Sequence, residues 1–282
     1  MRRVDSDRLR RAVLLTYRLA VVQFQCELRE PGWQNAAIRA TLMHTNKPIY
    51  IRPDTQHLHP MKLSPSDFAF LYQECKRCFY LKVKHKFPRP RTGMPGIFSV
   101  IDSKMKDRFM NSRTESATHE LPPGEFALSG KWVQSAPIAF EGMEETCYIR
   151  GAFDTVIQFD DGSYGVIDFK TSAVKPSSKF IYARQLHAYA YSLEHAAPGK
   201  LELAPVSKLG LLVYEPTGFD HDGDGVATLG GTITWVEIKR DDTAFLKFLR
   251  EVMTVLTLPD PPPPSEKCLF CQYREATRGC DW

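Results

Sequence analysis

The sequence predicts a mixed α/β fold in which helices flank a central sheet, and three observations lead there. Residues 147–159 and 164–169 alternate as strands do and are joined by the turn-forming Asp160-Asp161-Gly162-Ser163, which reads as a β-hairpin. Residues 178–195 come next, with Ile181, Leu186, Tyr189 and Leu193 spaced on one helical face. Two further strand-like runs, 209–214 and 232–238, and an amphipathic helix over 242–258 continue the alternation.

The chain has 282 residues, enough for one large domain or two small ones, and 43% of them are hydrophobic, enough for a core. A net charge of +4 permits nucleic-acid binding without arguing for it, because local clustering matters more than the sum. Residues 1–60 read differently from the rest. Arg2, Arg3, Arg8, Arg10 and Arg11 precede an apolar run over 12–22, but Arg18 interrupts it, Asp5 and Asp7 sit among the bases, and no small-residue cleavage site comes after it. This is a surface helix at best. Residues 45–60 read as a loop, and Met61 opens the folded part, so 1–60 is expected to be an extension and 61–258 the main domain. No stretch has the apolar length that spans a bilayer, and without an export signal the expected location is cytoplasmic.

Ser64-Pro65-Ser66-Asp67 supplies cap residues and a helix-starting proline, and Phe68, Leu71 and Cys75 continue a helical pattern. The next helix is predicted over 94–109, entered through Pro95-Gly96. His119, Glu120 and Glu125 fall in a predicted loop, and 131–140 reads as the first strand, forming with the hairpin a three-stranded antiparallel unit. The run Asp220-His221-Asp222-Gly223-Asp224-Gly225 imitates the opening of a calcium loop. Gly231 stands where the twelfth-position Glu belongs, so an acidic turn is expected instead. Residues 259–264 are a stiff proline-rich linker.

Two clusters carry chemistry. In the hairpin, Asp154 and Asp168 occupy facing positions, and two carboxylates aimed at one point make the hard oxygen site that Mg²⁺ or Mn²⁺ prefers. Lys170 is two residues beyond Asp168 and shares its face, where an ammonium can orient a water and offset charge developing on a phosphate. Val166, Ile167 and Phe169 make Asp168 a charge on a buried strand, and such a charge needs a partner. The second cluster is Cys268-x2-Cys271-x8-Cys280, beyond the linker. Taken alone it suggests zinc, since structural zinc uses paired cysteines at this spacing. Cys26 and Cys147 read as incidental or structural thiols.

Asp154 followed by Asp168-x-Lys170, with Gly151 making a G-x-x-D and with Gln185-x-x-x-Tyr189 on the next helix, resembles the PD-(D/E)XK nuclease superfamily, and within it the RecB-like branch. That branch includes the AddB nuclease domain and the CRISPR-associated RecB-like iron–sulfur exonucleases. The resemblance implies a restriction-endonuclease-like core with a central mixed sheet flanked by helices. It implies metal ligation by Asp154, Asp168 and the Phe169 carbonyl, and a third acidic ligand at Asp102, where the family more often has His. Gln185 and Tyr189 would help position the strand being cut and Lys170. Cys75-x-Arg77-x-x-Tyr80-Leu81 is similar to the first cysteine element of the iron–sulfur members, which implies a [4Fe–4S] cluster on Cys75, Cys268, Cys271 and Cys280, with Cys78 an extra cysteine. Its task would be mechanical, tying the tail to the start of the domain.

The function that the resemblance implies is a Mg²⁺- or Mn²⁺-dependent DNA nuclease, acting as an exonuclease on single-stranded DNA or free ends. The alternative is a non-catalytic DNA-binding subunit that keeps the fold. Lys82, Lys84, Lys86, Arg89, Arg91, Lys175, Lys179 and Arg184 are candidate phosphate contacts, and Phe79, Tyr80 and Phe87 candidate stacking surfaces. No G-x-x-x-x-G-K-[ST] occurs, so the chain shows no ATP motor, and whether it works beside a helicase or another nucleic-acid-processing factor stays open.

Overall fold

A computed structural model describes residues 60–90, 93, 95–173 and 176–278. The expectations for residues 1–59 and for Cys280, Lys175 and Arg91 lie outside these residues.

The described chain opens with β1 (Met61–Leu63), then α1 (Pro65–Ala69), α2 (Leu71–Glu74) and α3 (Lys76–Lys84). Pro65 starts α1 because its fixed φ suits the first helical position, where its missing N–H forfeits no bond. The predicted helix through Cys75 is in fact broken there: Cys75 is extended, at φ −159° and ψ 106°, and separates α2 from α3. Helix α4 (Gly96–Phe109) matches the predicted one, and a short 3-10 turn at Thr114–Ser116 leads to β2 (Gly124–Ser129), β3 (Trp132–Gln134) and β4 (Cys147–Ala152). Next come β5 (Thr155–Phe159), β6 (Tyr164–Thr171), α5 (Pro176–Glu194), β7 (Val206–His221), β8 (Ala227–Ile238), α6 (Asp242–Leu256) and α7 (Leu269–Ala276).

The main sheet has the order β2-β5-β6-β7-β8 and is mixed, with β6 and β7 parallel and the other neighbours antiparallel. The parallel pair requires a crossover, which α5 provides. A smaller sheet has the order β1-β4-β3. Two strand expectations need correction. The run 147–159 is two strands, because the chain leaves one sheet for the other at Phe153-Asp154. The run 131–140 is strand only over Trp132–Gln134, which pairs with β4 rather than with the hairpin. Pro137 has no N–H to give a ladder, and isolated bridges at Ser135 and Ile138 are what remain of the predicted strand. The hairpin's outer neighbour is β2, in the stretch that had read as loop.

Side chains alternate across the main sheet, and each face has its own helix. On one face Leu186, Tyr189, Ala190 and Leu193 of α5 pack against Val156, Val166, Leu209, Leu211 and Val236. On the other, Met105 and Phe109 of α4 meet Phe126, Ile157, Ile167, Phe169 and Trp235. A third core joins α1 to α3, α6 and the small sheet, with Phe68, Tyr72, Phe79 and Phe248 in edge-on contacts at 5.2–5.4 Å.

Phe79 and Tyr80 are therefore core residues with no exposed surface, and the expectation that they stack on nucleic acid is overturned. Several predicted phosphate contacts also have partners within the fold. Lys82 pairs with Asp67 at 2.6 Å, Lys84 donates to the carbonyls of Leu256 and Leu258, and Lys86 donates to that of Val83.

Candidate functional site

The site lies where the chain crosses between sheets. In the β5–β6 register Thr155 faces Ile167, so Asp154, one residue before β5, comes opposite Asp168. The contact is direct: Asp154 Oδ2 accepts the Phe169 N–H at 2.8 Å. Val166 belongs to the α5 face of β6, and the period of two puts Asp168 and Lys170 on the same face. Asp168 is only 5% exposed, and its Oδ2 is in close ionic contact with Lys170 Nζ.

This environment sets the proton balance. Burial raises the Asp168 carboxyl above its usual range, Lys170 pulls against that shift, and the nearby charges of Asp154 and Asp102 add to it. For Lys170, burial alone favours the neutral amine, but the Asp168 carboxylate outweighs it and raises the pKa. Lys170 is thus held as an ammonium. Its other side rests against the Tyr182 ring, 4.7 Å from the centroid, and Tyr182 meets the half-exposed Phe70 edge-on at 5.6 Å.

Two parts of this arrangement were missed in the sequence. Lys106, one helical turn beyond Asp102 on α4, is 2.8 Å from Asp102 Oδ2 and also in close ionic contact with Asp154 Oδ1. The i, i+4 spacing from Asp102 was the available signal. Tyr182 carried no signal beyond its place on the helix. A buried carboxylate beside a second carboxylate, with an amine seated as a cation between Asp154 and Asp102, is an oxygen donor set that suits Mg²⁺ or Mn²⁺. The residues present fit such an ion.

Tyr189 and Gln185 sit one helical step apart on α5 and both are buried. The Tyr189 hydroxyl donates to the Ala152 carbonyl at 2.7 Å, two residues before Asp154, and burial pushes its pKa up to about 12. Gln185 lies beside Tyr189, and its buried Oε1 has no partner among the described residues. Gly151 completes the packing. A Cβ there would lie 2.8 Å from Pro65 Cδ and 3.2 Å from Tyr189 Cε1, so only glycine lets the α1 proline and the α5 tyrosine meet on β4.

The second site is formed by Cys75, Cys78, Cys268 and Cys271, whose sulfurs all lie within 4.8 Å of one another. Cys78, expected to be an extra cysteine, is a full member, and its C-x2-C spacing from Cys75 was the signal. Burial acts to raise the Cys75 thiol, but backbone amides at Ser265 and Cys78 outweigh it and bring the pKa down to about 7. Cys147 stands apart in the core, with burial pushing its thiol up to about 12. Arg77 donates to the Pro262 carbonyl at 3.3 Å and Tyr80 to that of Leu258 at 2.9 Å, so the first cysteine element also grips the linker.

No curated protein matches the sequence. Among solved structures, one described as "Crystal structure of SSO0001" is similar at 13% identity and a TM-score of 0.42, covering 79% of this chain and 87% of that one. The sequence profile of the PD-(D/E)XK nuclease superfamily matches residues 103–276, a span that holds Asp154, Asp168, Lys170 and both tail cysteines of the second site. With more than half of its length inside that profile, the chain belongs to the PD-(D/E)XK nuclease superfamily.

Proposed function

We propose that the protein is a metal-dependent DNA nuclease that hydrolyses phosphodiester bonds, with single-stranded DNA or free ends as substrate and exonuclease action as its mode. The observation that carries this reading is that Asp154 reaches the strand beside Asp168, its Oδ2 accepting the Phe169 N–H at 2.8 Å, while Lys170 Nζ lies against Asp168 Oδ2. In this reading Asp154 and Asp168 hold Mg²⁺ or Mn²⁺, and the Phe169 carbonyl and Asp102 complete the protein's share of the ligands. The ion, when bound, polarises the phosphate and acidifies a water.

The chain's own residues do the rest. Lys170, kept protonated by Asp168, donates to the attacking water or to a phosphate oxygen, which offsets negative charge as it develops. Tyr189 fixes the backbone that delivers Asp154, and the buried, unpartnered Gln185 oxygen is an acceptor left for a water or a substrate group. Phe70 and Tyr182 offer aromatic surface leading from solvent to Lys170, on which the base of a single strand can stack. Among the predicted basic contacts, Arg184, in the middle of α5, already has partners within the fold: it lies over Phe248 at 4.1 Å and Phe180 at 5.2 Å from the ring centroids and donates to Gln73 Oε1 at 2.9 Å. The four-cysteine group acts as a staple for the tail. The resemblance supplies a [4Fe–4S] cluster there and the donor set alone supplies zinc.

Incubating end-labelled single- and double-stranded DNA with Mg²⁺ or Mn²⁺ tests the reading. Cleavage that chelation abolishes, and that Lys170→Ala reduces by about 100-fold or more, is the expected outcome. DNA binding with no cleavage under any divalent cation would mark a non-catalytic subunit and overturn the proposal.

A further inference from the structure

We propose that Cys75, Cys78, Cys268 and Cys271 form a mononuclear tetrahedral site for a single zinc ion, in place of the iron–sulfur cluster on Cys280 that the resemblance implies. The spacing of the sulfurs carries this. Cys78 Sγ lies 3.5 Å from Cys271 Sγ and 3.7 Å from Cys268 Sγ, and Cys75 Sγ lies 3.8 Å from Cys271 Sγ. A tetrahedron with Zn–S bonds of about 2.3 Å has edges of about 3.8 Å, so these three distances match its edges, and all the sulfurs lie within 4.8 Å of one another, close enough to share one ion. In a cubane each thiolate binds a different iron, with sulfides between the irons. The thiolates then stand on the outer corners and are held further apart than a single ion holds them.

The sequence is arranged for the same geometry. Two C-x2-C pairs face each other, one at the start of α3 and one at the start of α7, which is the paired-cysteine pattern of structural zinc. The extended backbone at Cys75 turns the first pair towards the second. Arg89 donates to Cys268 Sγ at 3.1 Å and stacks on Phe270 at 4.7 Å, and its positive charge offsets the excess negative charge that four thiolates leave around a divalent cation. Helix α7 has no fully buried residue of its own, Leu269 and Tyr273 are exposed, and only the half-buried Phe270 packs beside the cysteines, so apolar burial contributes little to holding it. The metal is its attachment. This inference rests on the sulfur geometry and not on the nuclease reading, so either can fail alone.

The test is elemental and acid-labile sulfide analysis of the full chain purified without oxygen, alongside its Cys78→Ser and Cys280→Ser variants. The expected result is about one zinc per chain with no labile sulfide, lost from Cys78→Ser and retained by Cys280→Ser. Iron and sulfide at about four each per chain would overturn the proposal. So would loss of metal from Cys280→Ser with retention by Cys78→Ser, or a native chain that holds no metal. Should Cys78→Ser fail to fold, Co²⁺ substitution of the native chain decides: strong thiolate-to-cobalt absorption of a tetrahedral four-sulfur site supports the proposal, and its absence rejects it.

Discussion

Lys106 sits between Asp102 and Asp154 and Lys170 sits on Asp168, so each acidic group of the site has an ammonium against it. The two amines differ in their surroundings. Lys170 is confined between a buried carboxylate and the Tyr182 ring, whereas Lys106 reaches from α4 to both Asp102 and Asp154. Gly151 is the residue whose role the structure defines most sharply. Gly151→Ala must push apart Pro65 and Tyr189, and overpacking of this kind costs about 1–3 kcal/mol. Urea unfolding of that variant is expected to show a lowered midpoint with an unchanged slope, and an unchanged midpoint would mean that the contact relaxes freely. Asp168 and Lys170 were legible in the sequence because strand periodicity puts them on one face, and Asp154 because it stands across the hairpin turn from Asp168. Tyr182 was not singled out because its partners come from distant segments, Lys106 was passed over although it stands four residues from Asp102, and Cys78 was set aside as an extra cysteine although it forms a C-x2-C pair with Cys75.

At the level of elements, the sheet-to-sheet step at Phe153-Asp154 is what presents Asp154 to Asp168, and it could not be read locally. Residues 147–159 alternate well enough for one strand, and only pairing with β1 and β3 on one side and with β2 and β6 on the other divides them. Strand β2 was missed for a related reason: its six residues, Gly124–Ser129, are short and come after a polar, proline-containing stretch, and their place is fixed by pairing with β5. The hairpin, α4, α5 and α6 were legible because long periodic segments state their own type. Helices α5 and α6 are joined by His187, whose Nδ1 bonds the Ala183 carbonyl at 2.7 Å and whose Nε2 accepts the Asp241 N–H at 2.8 Å, at the cap of α6. Nε2 must be unprotonated to accept, and burial lowers the His187 pKa. The unfolded chain therefore takes up the proton first. The stabilisation is complete above about pH 6.5 and is lost as pH falls through the lower folded-state value. Between about pH 7.5 and 5.5 the native protein should lose more stability than His187→Gln in urea titrations, and parallel losses would show that His187 does not carry the effect.

For the whole molecule, two clusters stand apart. The main sheet presents Asp168 and Lys170, while the cysteine group brings the start of α7 against the joint between α2 and α3, segments 190 residues apart. No described helix is long and apolar enough to cross a membrane. The family's metal-dependent chemistry requires that a hard cation prefer the carboxylate site, and the softness of the thiolates keeps Mn²⁺ from settling at the cysteines. The most direct measurement is an electron paramagnetic resonance titration of Mn²⁺ into the native chain, Asp154→Asn and Asp168→Asn. Binding by the native protein is expected, with an affinity at least about 10-fold weaker in each variant. Equal Mn²⁺ binding by all three would contradict a metal seat between the two carboxylates.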